Sequence, residues 1–365
     1  MTKIAAIETK ILETHLVDTD FMTTYGIESF VKPHVMVKIT SDSGISGIGE
    51  ACPLPDYSGE THDTIKLMID KYYAPLLINN NPFDLEIIHN GLNSHYPANH
   101  AAKAAIDMAL HDLLGKILDI PVYKLLGGKF HNEVELRASF GIGPPSTVAT
   151  KAKAAVGRGA KAIKLKVGLD VTQDVETVKS VRELLGDSIP IAIDANAGYS
   201  LKKAMKVLKK LEQWDVEYIE QPIAAWDHEG LRLLRKTFET PIMVDESLCT
   251  VEDAVVLIRR EAADLFGIKL IKHGGIYNAK KIAILAEANN ISCVVISPWE
   301  TQVGQAAGVH LALASPNFSG PHDLGTKELK DDPTKGLQEE KGIIRSPTGP
   351  GLGIIYEFEN KKSVT

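Results

Sequence analysis

The sequence predicts an α/β protein: a modified (β/α)8 TIM-type barrel with an α+β capping domain ahead of it in the chain. Three observations indicate this fold. Residues 1–60 are rich in strand and turn signals, residues 60–127 become helical, and from residue 133 short β-rich segments alternate with amphipathic segments. Because a strand, a helix and a second strand form a parallel βαβ unit, eight such repeats favour a closed barrel.

We predict that residues 1–130 form the α+β capping domain. The turn residues "SDSG" separate two β-rich segments, a pattern typical of antiparallel strands. The segment "HAAKAAIDMALHDLLGKIL" has apolar residues at helical spacing, and "LLGGK" then ends this part of the chain with a Gly-Gly break.

We predict that residues 131–330 form the barrel. Its eight β-rich segments are "VELRASF", "AIKLKV", "PIAIDAN", "VEYIEQP", "PIMVDE", "LFGIKLI", "SCVVIS" and a weak one near "SGPHDL". A doubly wound open sheet is the alternative, but the two prolines of "FGIGPPS" predict that the first turn cannot open a helix as a dinucleotide site requires. We expect residues 331–365 to return to the capping domain, with a turn and a strand in "GPGLGIIYEFE".

Composition narrows the class of partner. A net charge of −7 argues against nucleic acid, which needs a basic surface, but leaves room for a small anionic substrate. The three cysteines have no CxxC spacing, which argues against a disulfide framework or a zinc knuckle. The N-terminal residues lack a signal-peptide core, and no segment has the length of a membrane span. We therefore expect a cytoplasmic protein with no membrane partner.

Carboxylates end three consecutive predicted strands of the barrel. Asp194, Glu220 and Asp245 follow one another at intervals of about one βα unit. Active sites of such barrels lie at the carboxyl ends of the strands, so these acids would converge. Three hard oxygen ligands predict a divalent cation, with Mg²⁺ favoured, and the lack of histidine there makes zinc a poor candidate. A single strand-end acid, taken alone, could equally cap a helix or solvate a loop.

Two lysines flank the predicted metal site. Lys166 ends the second strand and Lys269 lies on the sixth, so in a ring of eight they occupy opposite walls. A substrate carboxylate on the cation would place its α-carbon between them, and a lysine would remove the proton to give an enediolate. Burial, the cation and the like charge of Lys164 would lower the pKa of Lys166. The alternative, an edge strand protected by lysines, fits poorly with the aliphatic reverse face.

These segments resemble the motifs of a known family. "IKLKVG", "IAIDANAGY", "YIEQP", "MVDES" and "IKLIKHGGI" are similar to the series found in the enolase superfamily, in its muconate-lactonizing subgroup. The resemblance covers nearly the whole chain and includes "GIGEACP" in the first domain. It implies one Mg²⁺ held by the three acids, acid/base roles for the two opposed lysines, and support from Lys164. It also implies that Asn196 and Glu246 lie close to the metal ligands.

The resemblance further implies that the capping domain supplies specificity through two loops, "DTDFMTTYGIE" and "PLPDYSGET". The side chains expected to form an apolar lid are Phe21, Met22, Tyr25 and Tyr57. Packing between cap and barrel is the alternative for these four. The seventh strand end, "SPWETQVG", would place Trp299, Glu300 and Thr301 near the far end of the substrate. Trp299 could stack on a ring or hold a cation there, or only fill the core.

One departure from the family pattern concerns the eighth strand. Dipeptide epimerases of this subgroup usually carry Asp-x-Asp after it, which binds the substrate's ammonium. Here "HDLGT" has Asp323, but Gly325 replaces the second acid. This favours N-acylated, N-methylated or proline-like amino acids over a dipeptide with a free ammonium.

The sequence therefore predicts a Mg²⁺-dependent racemase or epimerase acting on an amino-acid derivative, whether N-substituted, proline-like or a dipeptide. The alternative is a muconate-type cycloisomerase or a dehydratase of a small carboxylate such as a hydroxy-amino acid, in which one lysine could serve alone. A barrel that binds without turnover is a third possibility, but it has no need of two opposed bases. Because the family often forms dimers or octamers, we expect a homo-oligomer.

Overall fold

The computed structural model describes residues 2–358. The strands of the capping domain are β1 (Ile4–His15), β2 (Met22–Thr23), β3 (Gly26–Ile27), β4 (Val31–Ser41) and β5 (Ser46–Ala51). Its helices are α1 (Pro55–Ser58), α2 (His62–Leu67), α3 (Ala74–Leu77), α4 (Leu85–His95), α5 (His100–Ile117) and α6 (Val122–Leu125). A π-helical turn, Met68–Tyr73, joins α2 to α3.

The cap is an antiparallel sheet, in the order β1–β4–β5, covered by the buried helix α5. The "SDSG" residues form the predicted turn, where Ser41 N donates to Ile45 O at 2.9 Å. Strand β5 approaches α5 so closely that a Cβ at Gly49 would lie 2.0 Å from the carbonyl oxygen of Ala105. Glycine is therefore required there by the close packing of sheet and helix.

The barrel region alternates strands and helices as predicted. Its first half contains β6 (Glu133–Glu135), β7 (Arg137–Phe140), α7 (Pro145–Gly157), β8 (Ala162–Lys166), α8 (Val171–Leu185), β9 (Ile191–Asp194) and α9 (Leu201–Leu211), followed by a 3₁₀ turn at Glu212–Trp214. Its second half contains β10 (Ile219–Glu220), α10 (His228–Thr237), β11 (Ile242–Val244), α11 (Val251–Arg259), β12 (Leu265–Ile268), α12 (Leu270–His273), α13 (Ile276–Glu287), β13 (Ser292–Val295) and α14 (Gln302–Leu313).

Seven parallel strands, β7 to β13 in chain order, form the barrel sheet. The weak eighth segment closes it, because His322 bridges to Leu136 before β7 and Asp323 bridges to Ile296 after β13. The barrel is confirmed, but the argument from the two prolines was wrong. Pro145 is the first residue of α7, a position where proline's fixed φ and missing N–H suit a helix. Closure of the sheet, not the first turn, excludes the open alternative.

After the barrel the chain forms β14 (Glu339–Glu340) and β15 (Ile343–Arg345), which pair in the order β14–β15–β6. It then reaches the cap, where Leu352 N donates to Asp112 Oδ1 at 2.8 Å. The strand predicted in "GIIYEFE" is absent up to residue 358, where only the bridge between Lys335 and Ile355 forms, and the rest of this prediction lies outside the described residues.

Two findings within residues 2–358 concern disulfides and membrane-spanning helices. All three cysteines are free. None of the described helices combines the length and the apolar character that crossing a membrane would require.

Candidate active site

The three acids meet at the carboxyl ends of neighbouring strands. Asp194 is the last residue of β9, Glu220 the last of β10, and Asp245 follows β11 directly. The parallel register places Glu220 opposite Asp194, and all three side chains are buried. The three acids are evenly spaced along the chain and lie close together in the structure, because each βα unit brings the end of the next strand back to the same edge of the sheet.

A lysine binds each of these acids. Lys166 Nζ donates to Asp194 Oδ2 at 2.5 Å, and Lys269 Nζ donates to Asp245 Oδ2 at 2.5 Å. Lys164 Nζ donates to Glu220 Oε2 at 2.9 Å and also binds Asp323. Lys166 comes from the second strand of the ring and Lys269 follows the sixth, so the two amines lie on opposite walls as predicted.

Burial and crowding of charge dominate the electrostatics of this site. Burial raises the pKa of Glu220 to about 8, and the neighbouring Asp194 carboxylate adds to the effect. Burial would lower the pKa of Lys164, but Asp323 and Glu220 reverse this and raise it. The sequence argument treated Lys164 mainly as a repulsive neighbour of Lys166. Its ion pairs to two carboxylates offset much of that charge, so its repulsion of Lys166 is weaker than we expected.

Asp194, Glu220 and Asp245 are the oxygen donors available to a divalent cation at the barrel mouth. Within residues 2–358, no three His, Cys, Asp or Glu side chains are arranged as a metal-ligand group, because the acids point toward their lysine partners. Nevertheless, three buried carboxylates share this rim, and Glu220 Oε1 is buried with no hydrogen-bond partner in the described chain. Hard, crowded oxygen donors with an unsatisfied atom fit a hard cation such as Mg²⁺.

Asn196 and Glu246 lie beside the acid–lysine pairs. Asn196 Oδ1 accepts from Lys166 at 2.9 Å, while Asn196 Nδ2 donates to Glu246 Oε1 at 3.2 Å. The hydroxyl of Tyr25, from the cap, donates to the same Glu246 oxygen at 3.2 Å. Asn196 has a left-handed backbone, φ 37°, which turns the chain sharply after β9. These contacts hold Lys166 in place and tie a cap loop to the barrel mouth.

A cavity of about 480 Å³ lies between the cap and the barrel mouth. The catalytic candidates that line it are Lys164, Lys166 and Lys269. Five predicted substrate contacts line it as well: Phe21, Tyr25, Tyr57, Trp299 and Asp323. Phe21 and Trp299 pack edge to face with ring centroids 4.7 Å apart, and Lys269 Nζ lies 4.7 Å from the centre of the Tyr57 ring. The cap therefore supplies an aromatic roof over the lysines.

Two family models match most of the chain. Residues 8–127 match the mandelate racemase / muconate lactonizing enzyme N-terminal domain, and residues 147–360 match the enolase C-terminal domain-like family. The chain belongs to the enolase superfamily, in its muconate-lactonizing subgroup. The family and fold predicted from the motifs are thus confirmed.

Relatives in this superfamily span several activities. N-succinyl-L-Arg/Lys racemase of Bacillus cereus is 34% identical over 94% of this chain and 93% of its own length. Muconate cycloisomerase 1 of Rhodococcus opacus is 31% identical over 99% of this chain and 98% of its own. The crystal structure of dipeptide epimerase from Enterococcus faecalis with Mg and the dipeptide L-Leu-L-Tyr has a TM-score of 0.93, 33% identity, and coverage of 97% and 100%. The predicted enzyme class, an isomerase, is confirmed by such relatives.

Three residues expected near the substrate of this superfamily member do not line the cavity: Met22, Glu300 and Thr301. Met22 instead borders a separate surface groove, and its backbone packs on Gly141, where a Cβ would lie 2.5 Å from Met22 N. Thr301 caps α14 and binds Glu50 of the cap, and the Glu300 side chain packs against Gly304. The segment "SPWETQVG" follows β13, the seventh barrel strand, as expected, but the directions of the Glu300 and Thr301 side chains depend on the turn at Trp299, where φ is 67°.

Sequence reasoning missed three residues. Lys272 donates to Asp245 Oδ1 at 2.6 Å, and its position one helical turn after Lys269 in "IKLIK" could have indicated this. Gln221 Oε1 accepts from Asp245 N at 3.1 Å and so fixes the next strand end. Glu328 lines the cavity from an irregular segment and carries no sequence signal.

Proposed function

We propose that this protein racemises or epimerises an amino-acid derivative at the carbon next to its carboxylate, with Mg²⁺ as cofactor. The observation that carries the proposal is the pair of lysines, Lys166 and Lys269, which line one cavity from opposite walls. Inversion at carbon needs a base on one face and an acid on the other. A cavity with an amine on each side has this arrangement.

Mg²⁺ is proposed to bind Asp194, Glu220 and Asp245. When bound, it stabilises negative charge on the substrate's carboxylate oxygens as the proton leaves. The unsatisfied oxygen of Glu220 supports this assignment, as does the Mg in the related dipeptide epimerase.

The remaining contacts position the two lysines for proton transfer. Asp194 and Asn196 hold Lys166 Nζ on one side of the cavity. Asp245 holds Lys269 Nζ on the other side, beneath the ring of Tyr57. The aromatic roof covers the space between them with apolar rings, and a less polar surrounding strengthens these charged interactions. Lys166 is therefore proposed to exchange a proton with one face of the carbon and Lys269 with the other.

The test is to incubate candidate N-substituted amino acids, cyclic amino acids and dipeptides with the protein and Mg²⁺ in D₂O. We expect the α-proton of a substrate to be replaced by deuterium while optical rotation decays or a diastereomer accumulates. Loss of water or ring closure without inversion would instead assign a dehydratase or a cycloisomerase. Absence of exchange across all these carboxylates would refute the proposal.

A further inference from the structure

The two lysines proposed for proton transfer sit in different surroundings. Lys166 is the last residue of β8, a strand paired on both sides, and its amine binds Asp194 and Asn196 of the barrel. Lys269 instead begins residues 269–277, with the sequence "KLIKHGGIY", which contain α12, a Gly-Gly turn and the start of α13. We call these nine residues the Lys269 segment.

The Lys269 segment inserts an apolar side chain into the cap. Ile271 is buried in the hydrophobic core of the cap, whose other buried members among the described residues lie between Ile4 and Leu113. Helix α12 packs against α5 of the cap. The turn at Gly274 approaches α5 closely, since a Cβ there would lie 3.7 Å from Lys103 Cβ. The cap is therefore one wall of the space that holds Lys269.

Asp107 of α5 anchors the other end of this segment. The residue is fully buried, and its Oδ2 atom accepts hydrogen bonds from Ile276 N at 2.5 Å and from Tyr277 N at 3.3 Å. These N–H groups open α13 and have no partner within the helix. Its N-cap is Gly275, which has no side chain to bind them. Asp107 supplies that cap from another domain, where the helix dipole also favours an anion.

The surroundings of the Asp107 carboxylate are built for this contact. A Cβ on Gly275, whose φ is 108°, would lie 2.3 Å from Asp107 Oδ2, so only glycine leaves room. Oδ1 accepts from His89 Nε2 at 2.7 Å, and the His89 ring stacks on Tyr277 with centroids 4.2 Å apart. Burial would raise the pKa of Asp107, but His111 and His89 outweigh it and hold the pKa well below its usual range. The anchor is thus an ionised carboxylate.

The chain that follows β8 on the opposite wall is held mainly from within the barrel. Val167 N donates to Asp194 O at 2.9 Å, and Gly168 N donates to Asp174 Oδ2 of α8 at 3.2 Å. The two proposed acid/base amines therefore depend on different anchors, one in the barrel and one in the cap.

We propose that Asp107 is a positioning residue for Lys269: from the cap, it fixes the Lys269 segment and so sets the place of the amine on one face of the reacting carbon. This inference rests on the proposed function and deepens it. Asp107 does not line the cavity, so it acts only through the segment. Because a displacement of about 1 Å can slow a reaction by about a hundredfold, loss of this anchor should impair Lys269 and spare Lys166.

Asp107→Ala and Asp107→Asn are compared with the wild type as Mg²⁺-loaded full chains. Asp112→Ala is the matched control, since Asp112 lies on the same helix, is equally buried and accepts from Ile48 N and Leu352 N, each at 2.8 Å. Within residues 2–358, Asp112 forms no hydrogen bond or ion pair with the Lys269 segment. Its loss should weaken the cap without moving Lys269.

The readout is the rate of α-proton exchange in D₂O for each isomer separately. The probes are N-acetyl-L-phenylalanine and N-acetyl-D-phenylalanine, with L-Ala-L-Phe and L-Ala-D-Phe as the second pair. Lys166→Ala and Lys269→Ala identify which isomer each lysine deprotonates. A merely structural residue has no means of favouring one isomer over the other.

We expect Asp107→Ala to lower kcat for the isomer that Lys269 deprotonates by about tenfold to a hundredfold, with KM changed less than about threefold. The other isomer should change less than about threefold. Asp107→Asn, whose amide oxygen can still accept from Ile276 N, should recover part of the loss. Asp112→Ala should affect both isomers equally.

Amide hydrogen exchange, followed by mass spectrometry, tests the anchor without any substrate. Residues 269–277 should exchange faster in Asp107→Ala than in Asp112→Ala, whereas residues 162–168 should be unchanged in both. If Asp107→Ala does not fold, Asp107→Asn carries both measurements, with the same bias at smaller size.

The outcomes separate the two proposals. Equal slowing of both isomers in the Asp107 variants, or slowing of neither, overturns the positioning role and leaves the racemase proposal standing. Unchanged amide exchange in residues 269–277 also overturns it. If the wild type itself exchanges no compound of the D₂O screen, the proposed function fails and the positioning role fails with it.

Discussion

The barrel mouth and the seam between cap and barrel both bury carboxylates, but they treat them differently. At the mouth, Asp194, Glu220 and Asp245 crowd together, and an oxygen of Glu220 has no hydrogen-bond partner in the described chain. At the seam, Glu50 of β5 accepts from His34 Nδ1 at 2.6 Å, Thr301 N at 2.8 Å, Thr301 Oγ1 at 2.5 Å and Gly304 N at 3.0 Å. The mouth leaves one buried carboxylate oxygen without a hydrogen-bond partner in the described chain, whereas both oxygens of Glu50 at the seam accept hydrogen bonds.

This difference distinguishes a site that can bind a ligand from a contact that holds the cap against the barrel. Unsatisfied, mutually repelling groups are poised to receive a ligand, whereas a saturated carboxylate fixes the elements that supply its donors. Glu50 receives its donors at the N-terminus of α14, whose positive dipole end also favours an anion. It thereby ties the cap to the loop that carries Trp299 over the cavity.

The largest predicted effect comes from removing the cation from the mouth. Chelation should lower α-proton exchange by about a thousandfold, because the metal is worth several kcal/mol of charge stabilisation, and added Mg²⁺ should restore it. The seam contains no proposed ligand, so the Glu50 contacts should survive the treatment. Full exchange activity after exhaustive chelation would contradict the assignment of the three acids.

Glu50→Gln should destabilise the protein by about 3–5 kcal/mol, since it leaves the buried His34 without its ionic partner. Urea unfolding measures this change. Glu13→Gln, at an exposed position of β1, is the matched control and should cost less than about 0.5 kcal/mol. A change at Glu50 no larger than at Glu13 would show that the seam does not depend on this carboxylate.

The seam should also make stability depend on pH. Burial opposes the charge of His34, but Cys52 and Glu50 outweigh it and raise the pKa of His34 from 6.5 to about 10. The folded state then binds more protons than the unfolded state between these values, so stability falls as pH rises from about 6.5 to 10. The slope should reach at most about 1.4 kcal/mol per pH unit.

His34→Gln should flatten that slope, because it removes the titrating group at the seam. Parallel pH profiles of unfolding for the wild type and His34→Gln would mean that His34 does not carry the charge at the seam.

The smallest effect concerns a contact that joins the two regions. Thr24 Oγ1, in the cap loop, donates to Asn196 O at 2.9 Å, and its methyl group lies 2.6 Å from where a Cβ on Gly168 would be. Thr24→Val keeps the shape and removes the hydrogen bond, which should cost about 1 kcal/mol in urea unfolding. Thr19→Val, in an exposed part of the same loop, should cost nothing measurable.

The mouth was predictable from sequence and the seam was not, for a physical reason. The acids and lysines follow the period of the βα repeat, which converts spacing along the chain into position around a ring. The contact between Glu50 and Thr301 joins residues that are 251 positions apart and depends on how the cap docks. Glu328 was missed for the same reason, because no regular element places it. The directions of Met22 and Glu300 were set by local turns that the strand pattern does not encode.

Deuterium uptake by single-lysine variants tests the central claim, that two lysines serve opposite faces of one carbon. Each enantiomer or epimer of a substrate is incubated in D₂O with Lys166→Ala and with Lys269→Ala, and exchange is followed by NMR. Both variants should lose interconversion by at least about a hundredfold. Each should still exchange the α-proton of one isomer only, with opposite preference. Interconversion by either variant at the wild-type rate, or the same isomer exchanged by both, would contradict the two-base account.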